Sequence, residues 1–307
     1  MRKAFAQVLV DLAHADSRIV LLTADLGFGV LDDFAKTHPQ RFFNVGVAEA
    51  NMVGLATGLA EAGYIPFLYS IATFASLRPF EQWRNGPSLH HLPVRLIAIG
   101  GGFEYGPNGV THAALEDIGA MRLLPNVQII VPADESQARS ALRATYGVPH
   151  PVYYRISKNE SSDIPGLGAN YDAETIDVIH RGEDALIIVA GPIAREALKA
   201  AEILAERGVR AAVAVISSLQ PAPLEALGHY LTALEHQPNA TAQFNLGLAH
   251  MALGDFAAAR QVYAQGIERF GAEEAQKVGA VSDLRALLAQ SSSAVEIRQL
   301  LNEFWPQ

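Results

Sequence analysis

The chain has 307 residues, half of them hydrophobic and 18% charged, with 23 Lys and Arg against 32 Asp and Glu for a formal charge of −9. Intrinsic disorder is excluded by this balance, and nucleic-acid binding is unsupported because no basic run stands out. The chain contains no cysteine, which excludes disulfides, thiolate metal sites and cysteine nucleophiles.

The first residues, MRKAFAQVLVDLAHAD, have their apolar positions broken by Asp11, His14 and Asp16. This pattern predicts an amphipathic helix and not a signal peptide. No apolar stretch reaches the roughly 18 residues needed to span a membrane, so a cytoplasmic protein is expected. From Met1 to about Gln220, β-rich runs alternate with helical segments. The runs are Ile19–Thr23, Ile65–Leu68, Val94–Ile99, Val127–Val131, Val152–Ile156, Ala185–Ala190 and Ala211–Ser217. Most are continuously apolar, as expected for strands covered on both faces. Their alternation with helices predicts an α/β fold, a parallel sheet with helices on both sides. Ser157–Ala173 is rich in Gly, Ser, Asn and Asp and reads as a linker.

After Pro221-Ala222-Pro223 the composition turns helical. Ala226, Tyr230 and Pro238 recur 33 residues later as Ala259, Tyr263 and Gly271 (259−226, 263−230, 271−238). Between them stand Leu246-Gly247-x-x-His250 and Gly254-Asp255-Phe256. This resembles a tetratricopeptide repeat, with one full copy over Ala240–Phe270 preceded by the second helix of another, Leu224–Gln237. Gly247 and Ala259 would let paired helices approach, with Tyr263 filling the gap beside them. An ordinary helical hairpin accounts for the same residues.

The segment that carries chemistry is Asn44-Val45-Gly46-Val47-Ala48-Glu49-Ala50-Asn51-Met52, continuing into a helix of small residues through Ala60. Glu49 stands at an apolar helix start, where a carboxylate is costly without a partner. Taken alone, it could simply complement the helix macrodipole.

The run as a whole resembles the pyrimidine-binding domain of the transketolase family, with its G-V-x-E-x-x-M signature. Ile65-Pro66-Phe67, Thr73-Phe74 and Arg78-Pro79-Phe80-Glu81-Gln82-Trp83-Arg84-Asn85 continue it in register. So do Gly106-Pro107-Asn108-Gly109-Val110-Thr111-His112, Glu116-Asp117-Ile118 and Met121-Arg122-Leu123-Leu124-Pro125-Asn126. The resemblance implies thiamine diphosphate as cofactor. Glu49 would hydrogen-bond N1′ of its aminopyrimidine, the contact that activates the cofactor. Phe74 would stack on that ring, with Ile71 lining the same pocket. His112 would contact the substrate oxygen at the reacting centre and move protons. Arg2 and Arg155 would hold a substrate phosphate, for which a guanidinium fork is suited.

Two positions depart from the family pattern in the substrate half. Asn108 stands where a G-E-D-G aspartate is usual, and Gly100, twelve residues before His112 (112−100), where a histidine is usual. Asp25-Leu26-Gly27-Phe28-Gly29 also replaces a phosphate-side serine. No G-D-G…N-N motif for a Mg²⁺-bound diphosphate is found, and only the first strand–helix–strand of the family's C-terminal domain is matched, over Gly182–Pro221. The implied organisation is a pyrimidine-binding domain at 1–160, a partial C-terminal domain at 174–223 and a helical tail at 224–307. The chain would then be a subunit that moves a two-carbon ketol or acyl unit only with a diphosphate-binding chain of the transketolase N-terminal type. That partner would hold Mg²⁺ and share thiamine diphosphate, in a homodimeric or heterotetrameric assembly. Alternatives are the beta subunit of a 2-oxo-acid dehydrogenase, or a non-catalytic scaffold that retains the fold.

Overall fold

A computed structural model describes residues 1–159, 163–167, 171–182, 184–223, 240–252, 255–290 and 294–306. The chain forms two compact units, Met1–Ala226 and Leu227–Gln307.

The first unit is built on a sheet whose strands run parallel except at one edge. The opening helix α1 (Arg2–Ala15) leads to β1 (Ile19–Thr23), α2 (Asp32–Thr37), β2 (Phe42–Asn44), α3 (Glu49–Glu61) and β3 (Ile65–Ile71). Then come α4 (Ala72–Leu77), α5 (Phe80–Trp83), β4 (Arg95–Ile99), α6 (Asp117–Arg122), β5 (Gln128–Ile130), α7 (Glu135–Thr145) and β6 (Val152–Ile156). Among the described residues a second, three-stranded sheet follows, from β7 (Asp177–His180), β8 (Ala185–Val189) and β9 (Ala211–Val215), with α8 (Ala194–Glu206) between the last two. The chain then returns as β10 (Ser218–Gln220) to the first sheet, whose order is β10-β5-β6-β4-β3-β1-β2. All pairs in this sheet are parallel except β10 with β5.

Each central strand alternates its side chains between two cores, as the period of two demands. Leu21, Phe67, Ile97 and Tyr154 face one core with Phe5, Leu9 and Phe34. Leu22, Leu68, Leu96 and Tyr153 face the other with Met52, Val53 and Trp83. Burial on both faces explains why these strands read as unbroken apolar runs. The stretch expected to be a linker is seated on this unit where it is described. The Ile164 amide donates to the Asp134 carboxylate at 2.9 Å, and the Tyr171 amide to Ser140 Oγ at 2.6 Å.

In the second unit the helices Ala240–Ala252 and Phe256–Phe270 form an adjacent pair, followed by Ala272–Lys277, Ala280–Gln290 and Ala294–Phe304. A β-carbon at Gly247 would reach the Tyr263 ring at 2.5 Å, so the glycine is what permits this helix approach. Tyr263 and Ala259 are fully buried. Asp255 caps the second helix by accepting from the Ala258 amide at 3.1 Å. The expected earlier copy, with Ala226, Tyr230 and Pro238, and also Gly254, lie outside the described residues.

A pH dependence follows from packing at the far end of β1. Arg41 donates to His38 Nδ1 at 2.6 Å, which requires a neutral ring, and the rings of His14 and His38 lie 4.8 Å apart. Burial, then the Arg41 charge and His14, hold the His38 pKa below its ordinary 6.5. The unfolded chain therefore takes up this proton more readily than the folded one. Stability should be complete above the unfolded value and decline as pH falls below it. Denaturant midpoints are expected to drop on going from about pH 7 to about pH 5, and the drop should be smaller in His38→Gln. His150, held low by burial, Arg95 and His91, acts in the same direction, so the loss shrinks without vanishing. An equal drop in both proteins would refute the assignment to His38.

Candidate active site

The carboxyl ends of β1, β3, β4 and β6 lie along one edge of the sheet, and the candidate residues stand on the loops and helix starts that leave it. In open α/β sheets this edge is where ligands bind. From β2 the chain turns through Gly46, at φ 73, into α3, which places Glu49 in the first helical turn. The Asn44 side chain ties this turn to the loop after β1. It accepts from the amides of Asp25 and Gly46 at 3.1 and 3.0 Å and donates to the Asp25 carboxylate at 2.9 Å.

Glu49 is 3% exposed. The helix start favours its negative charge, and two further groups satisfy it. Ser70 Oγ, at the end of β3, donates to Oε1 at 3.4 Å, and Arg78 Nη1 donates to Oε2 at 3.0 Å. Arg78 precedes Pro79, which separates α4 from α5. Its guanidinium carbon also lies 3.9 Å from the centre of the Phe74 ring. Phe74 in turn meets the His112 ring edge-on at 5.0 Å, and His112 Nδ1 is 3.0 Å from Thr111 Oγ1. Glu49, Arg78, Phe74 and His112 thus form one continuous row. Ile71, the last residue of β3, is buried beside Ala72 at the start of α4.

Beyond His112 the row continues to Tyr105, whose ring centre is 6.0 Å from that of His112. Lys158 Nζ lies 4.3 Å from the Tyr105 ring centre, and Arg2 Nε donates to the Lys158 carbonyl at 2.8 Å. Arg2 also reaches the hydroxyl of buried Tyr69, whose pKa is pushed up to about 12 by burial against the opposing pull of the arginine. The positive charge at this end therefore comes from Arg2 and Lys158. Arg155 is committed elsewhere. Its Nη2 donates to Asp117 Oδ1 at 3.0 Å, its Nε is 2.9 Å from Oδ2, and its guanidinium lies against Gly101. Asp117 is fully buried and also accepts from the Tyr153 hydroxyl at 2.6 Å. Burial first, then the Asp117 charge, raises the Tyr153 pKa well above its ordinary value.

Gly100 stands at φ 79, and Asn108 is exposed in the short turn Gly106–Asn108. Three participants were given no role from the sequence: Arg78, which opens a quoted motif, and Tyr105 and Lys158, which stand outside the motifs. Lys158 carried a usable signal, because it lies two residues past the end of β6 (158−156) in a Ser-Lys-Asn run that leaves the sheet on the site's edge.

The chemistry of this donor set fits an aminopyrimidine. A planar cation already lies on the Phe74 ring while giving a hydrogen bond to the Glu49 carboxylate. Those are the two contacts, stacking and N–H donation, that a protonated aminopyrimidine would make. Residues 1–162 match the transketolase pyrimidine-binding domain model. The chain is 37% identical over 224 residues to a putative transketolase C-terminal section of Methanocaldococcus jannaschii, covering 72% of this chain and 71% of that protein. It is 34% identical over 247 residues to one of the subunits of the apulose-4-phosphate transketolase of Phocaeicola vulgatus, covering 76% of this chain and 78% of the relative. Among solved structures, a split gene transketolase described as an inactive beta4 tetramer superposes with a TM-score of 0.66 at 34% identity, over 76% of this chain and 75% of the other. Signature residues, the domain match and these likenesses agree, and the chain belongs to the transketolase family, whose pyrimidine-binding domain it carries.

Proposed function

We propose that this chain is the pyrimidine-side subunit of a thiamine-diphosphate-dependent transferase of the transketolase type. It would transfer a two-carbon ketol or acyl unit in the cytoplasm, after assembly with a separate diphosphate-binding chain that holds Mg²⁺. The observation that carries this reading is the row from buried Glu49 through Phe74 to His112 inside the segment that matches the family. Thiamine diphosphate, when bound, supplies a nucleophilic carbon for breaking and making the carbon–carbon bond next to a carbonyl.

The chain's own residues have the remaining tasks. Glu49 accepts a hydrogen bond from the pyrimidine ring and fixes its protonation. Phe74 offers the stacking face, and Ile71 closes the pocket below it. Arg78 gives up its place on both when the ring enters. His112, on its loop, exchanges a proton with the substrate oxygen at the reacting carbon. Arg2 and Lys158 attract an anionic group at the substrate's far end. Arg155, held by Asp117, supports them indirectly by donating to the Ala114 carbonyl and so fixing the loop there.

Large apolar side chains on the surrounding loops favour a partner. Phe28, Val47, Phe103 and Val110 are all exposed, Val110 to 87%. Exposed apolar groups clustered on one edge mark an interaction surface. Two copies of this chain with two of the partner is the assembly we propose. Calorimetry with thiamine diphosphate and Mg²⁺ provides the test. Binding is expected with the reconstituted pair and weak or absent with this chain alone. Binding to the isolated chain as tight as to the pair would overturn the shared-site reading.

A further inference from the structure

We infer that Tyr105 determines specificity, setting the length of substrate that this site accepts. The inference rests on the function proposed above and concerns the space between the reacting end, at Glu49 and His112, and the cationic end, at Arg2 and Lys158.

Tyr105 belongs to an excursion that leaves the sheet after β4 and is closed at its base. Gly102 and Ala114 exchange both backbone hydrogen bonds at 2.9 Å. Arg155 Nη2 also donates to the Ala114 carbonyl, at 2.5 Å. Within the loop, Glu104 is clamped to the exit of β6: Ser157 Oγ donates to one carboxylate oxygen at 2.6 Å and the Lys158 amide to the other at 2.7 Å. The next residue, Tyr105, is thereby held over the strand ends.

Its ring lies directly on the backbone of Gly100, and a β-carbon at position 100 would overlap it. The positive φ of Gly100 disfavours any side chain there as well. Glycine at 100 and tyrosine at 105 are therefore a matched pair, with the ring filling the volume that a side chain at 100 would take. The ring is half-buried between His112, 6.0 Å away, and Lys158 Nζ, 4.3 Å from its centre. Burial first, with Arg2 opposing, keeps the phenol above its ordinary pKa of 10, so it is a neutral hydroxyl at neutral pH. A substrate that reacts beside His112 and delivers an anionic group to Arg2 and Lys158 must pass this ring. With both ends of the substrate held, the extra carbons of a longer chain must bow into space that the ring fills, so short aldose phosphates fit better than long ones.

The test uses the assembled pair with Tyr105→Ala and Tyr105→Phe, and glyceraldehyde 3-phosphate and ribose 5-phosphate as acceptors. In Tyr105→Ala the ratio of kcat/KM for the five-carbon over the three-carbon acceptor is expected to rise by about tenfold or more, mainly through KM. Tyr105→Phe keeps the wall and should keep the wild-type ratio. The ratio of the calorimetric Kd values for the two acceptors, measured without donor, should move in favour of the five-carbon acceptor as the kcat/KM ratio does, which a merely structural role would not produce. Equal changes for both acceptors, or Phe behaving as Ala, overturn the inference while leaving the proposed function standing. A wild-type pair that binds thiamine diphosphate but neither acceptor overturns the inference together with the role proposed for Arg2 and Lys158.

Discussion

Replacing Glu49 by glutamine is expected to reduce turnover of the assembled enzyme by about 10²–10⁴-fold, the range typical of a lost proton-transfer group. The amide has nearly the same shape and can still accept from Ser70, so the pocket is preserved. What it lacks is the negative charge that receives a protonated ring nitrogen or, in its place, the Arg78 guanidinium at 3.0 Å. The fold should survive. Arg78 is 47% exposed and can hydrate once its partner is neutral, and the buried position is then left with a neutral amide instead of an unpaired charge. The measurement is steady-state turnover of the variant pair beside its unfolding midpoint. Near-normal turnover with an unchanged midpoint would remove Glu49 from the chemistry.

The largest effect on stability is expected at Arg95, far from the site. This arginine, the first residue of β4, is fully buried. It donates to the carbonyls of Tyr146 at 2.9 Å, His150 at 2.6 Å and Val148. These carbonyls belong to the end of α7 and the turn into β6, where a helix leaves acceptors unpaired and the macrodipole favours a cation. Burial lowers its pKa only to about 10, so it is charged at neutral pH. Methionine would keep the length and remove every donor. With three carbonyls left without their partner, the loss should be about 2–5 kcal/mol. Urea unfolding reports this as a lower midpoint with an unchanged slope. A loss below about 0.5 kcal/mol would show that water replaces the guanidinium at no cost. At temperatures where the variant is folded its turnover should be near normal, the opposite of the Glu49 outcome.

Much of the architecture was legible because the central strands are buried on both faces. Ile19–Thr23 and Val152–Ile156 have the same bounds in the structure as in the apolar pattern, and Val94–Ile99 and Ala185–Ala190 differ by one residue at one end. The elements that escaped are those whose existence depends on a distant partner. β2 is three residues long and largely exposed. β7 pairs antiparallel with β9, and β10 returns antiparallel to β5 instead of extending the second sheet. An all-parallel expectation could not contain these reversals, because local apolar pattern carries no strand direction.

In the site, the amino-acid sequence by itself supplied the motifs on which the resemblance, and the roles it implies, rest. A carboxylate at a helix start, a phenylalanine past the end of β3 and a histidine on a glycine-rich loop say little one by one; it is the family motifs running in register around Glu49, Phe74 and His112 that made them legible. Tertiary structure decided which charges are free to act. Arg155 lies on the same face of β6 as Tyr153, two residues away, and both reach Asp117 on α6. Strand alternation therefore turns it into the sheet's packing. Lys158 stands past the strand end and so meets Tyr105 at the open edge. Arg78 opens a run that continues the family resemblance, yet nothing in that run gives it a role. Only the folded chain shows its guanidinium on Phe74 and Glu49, since a long side chain's partner is set by what the fold brings within its reach and not by its neighbours in sequence.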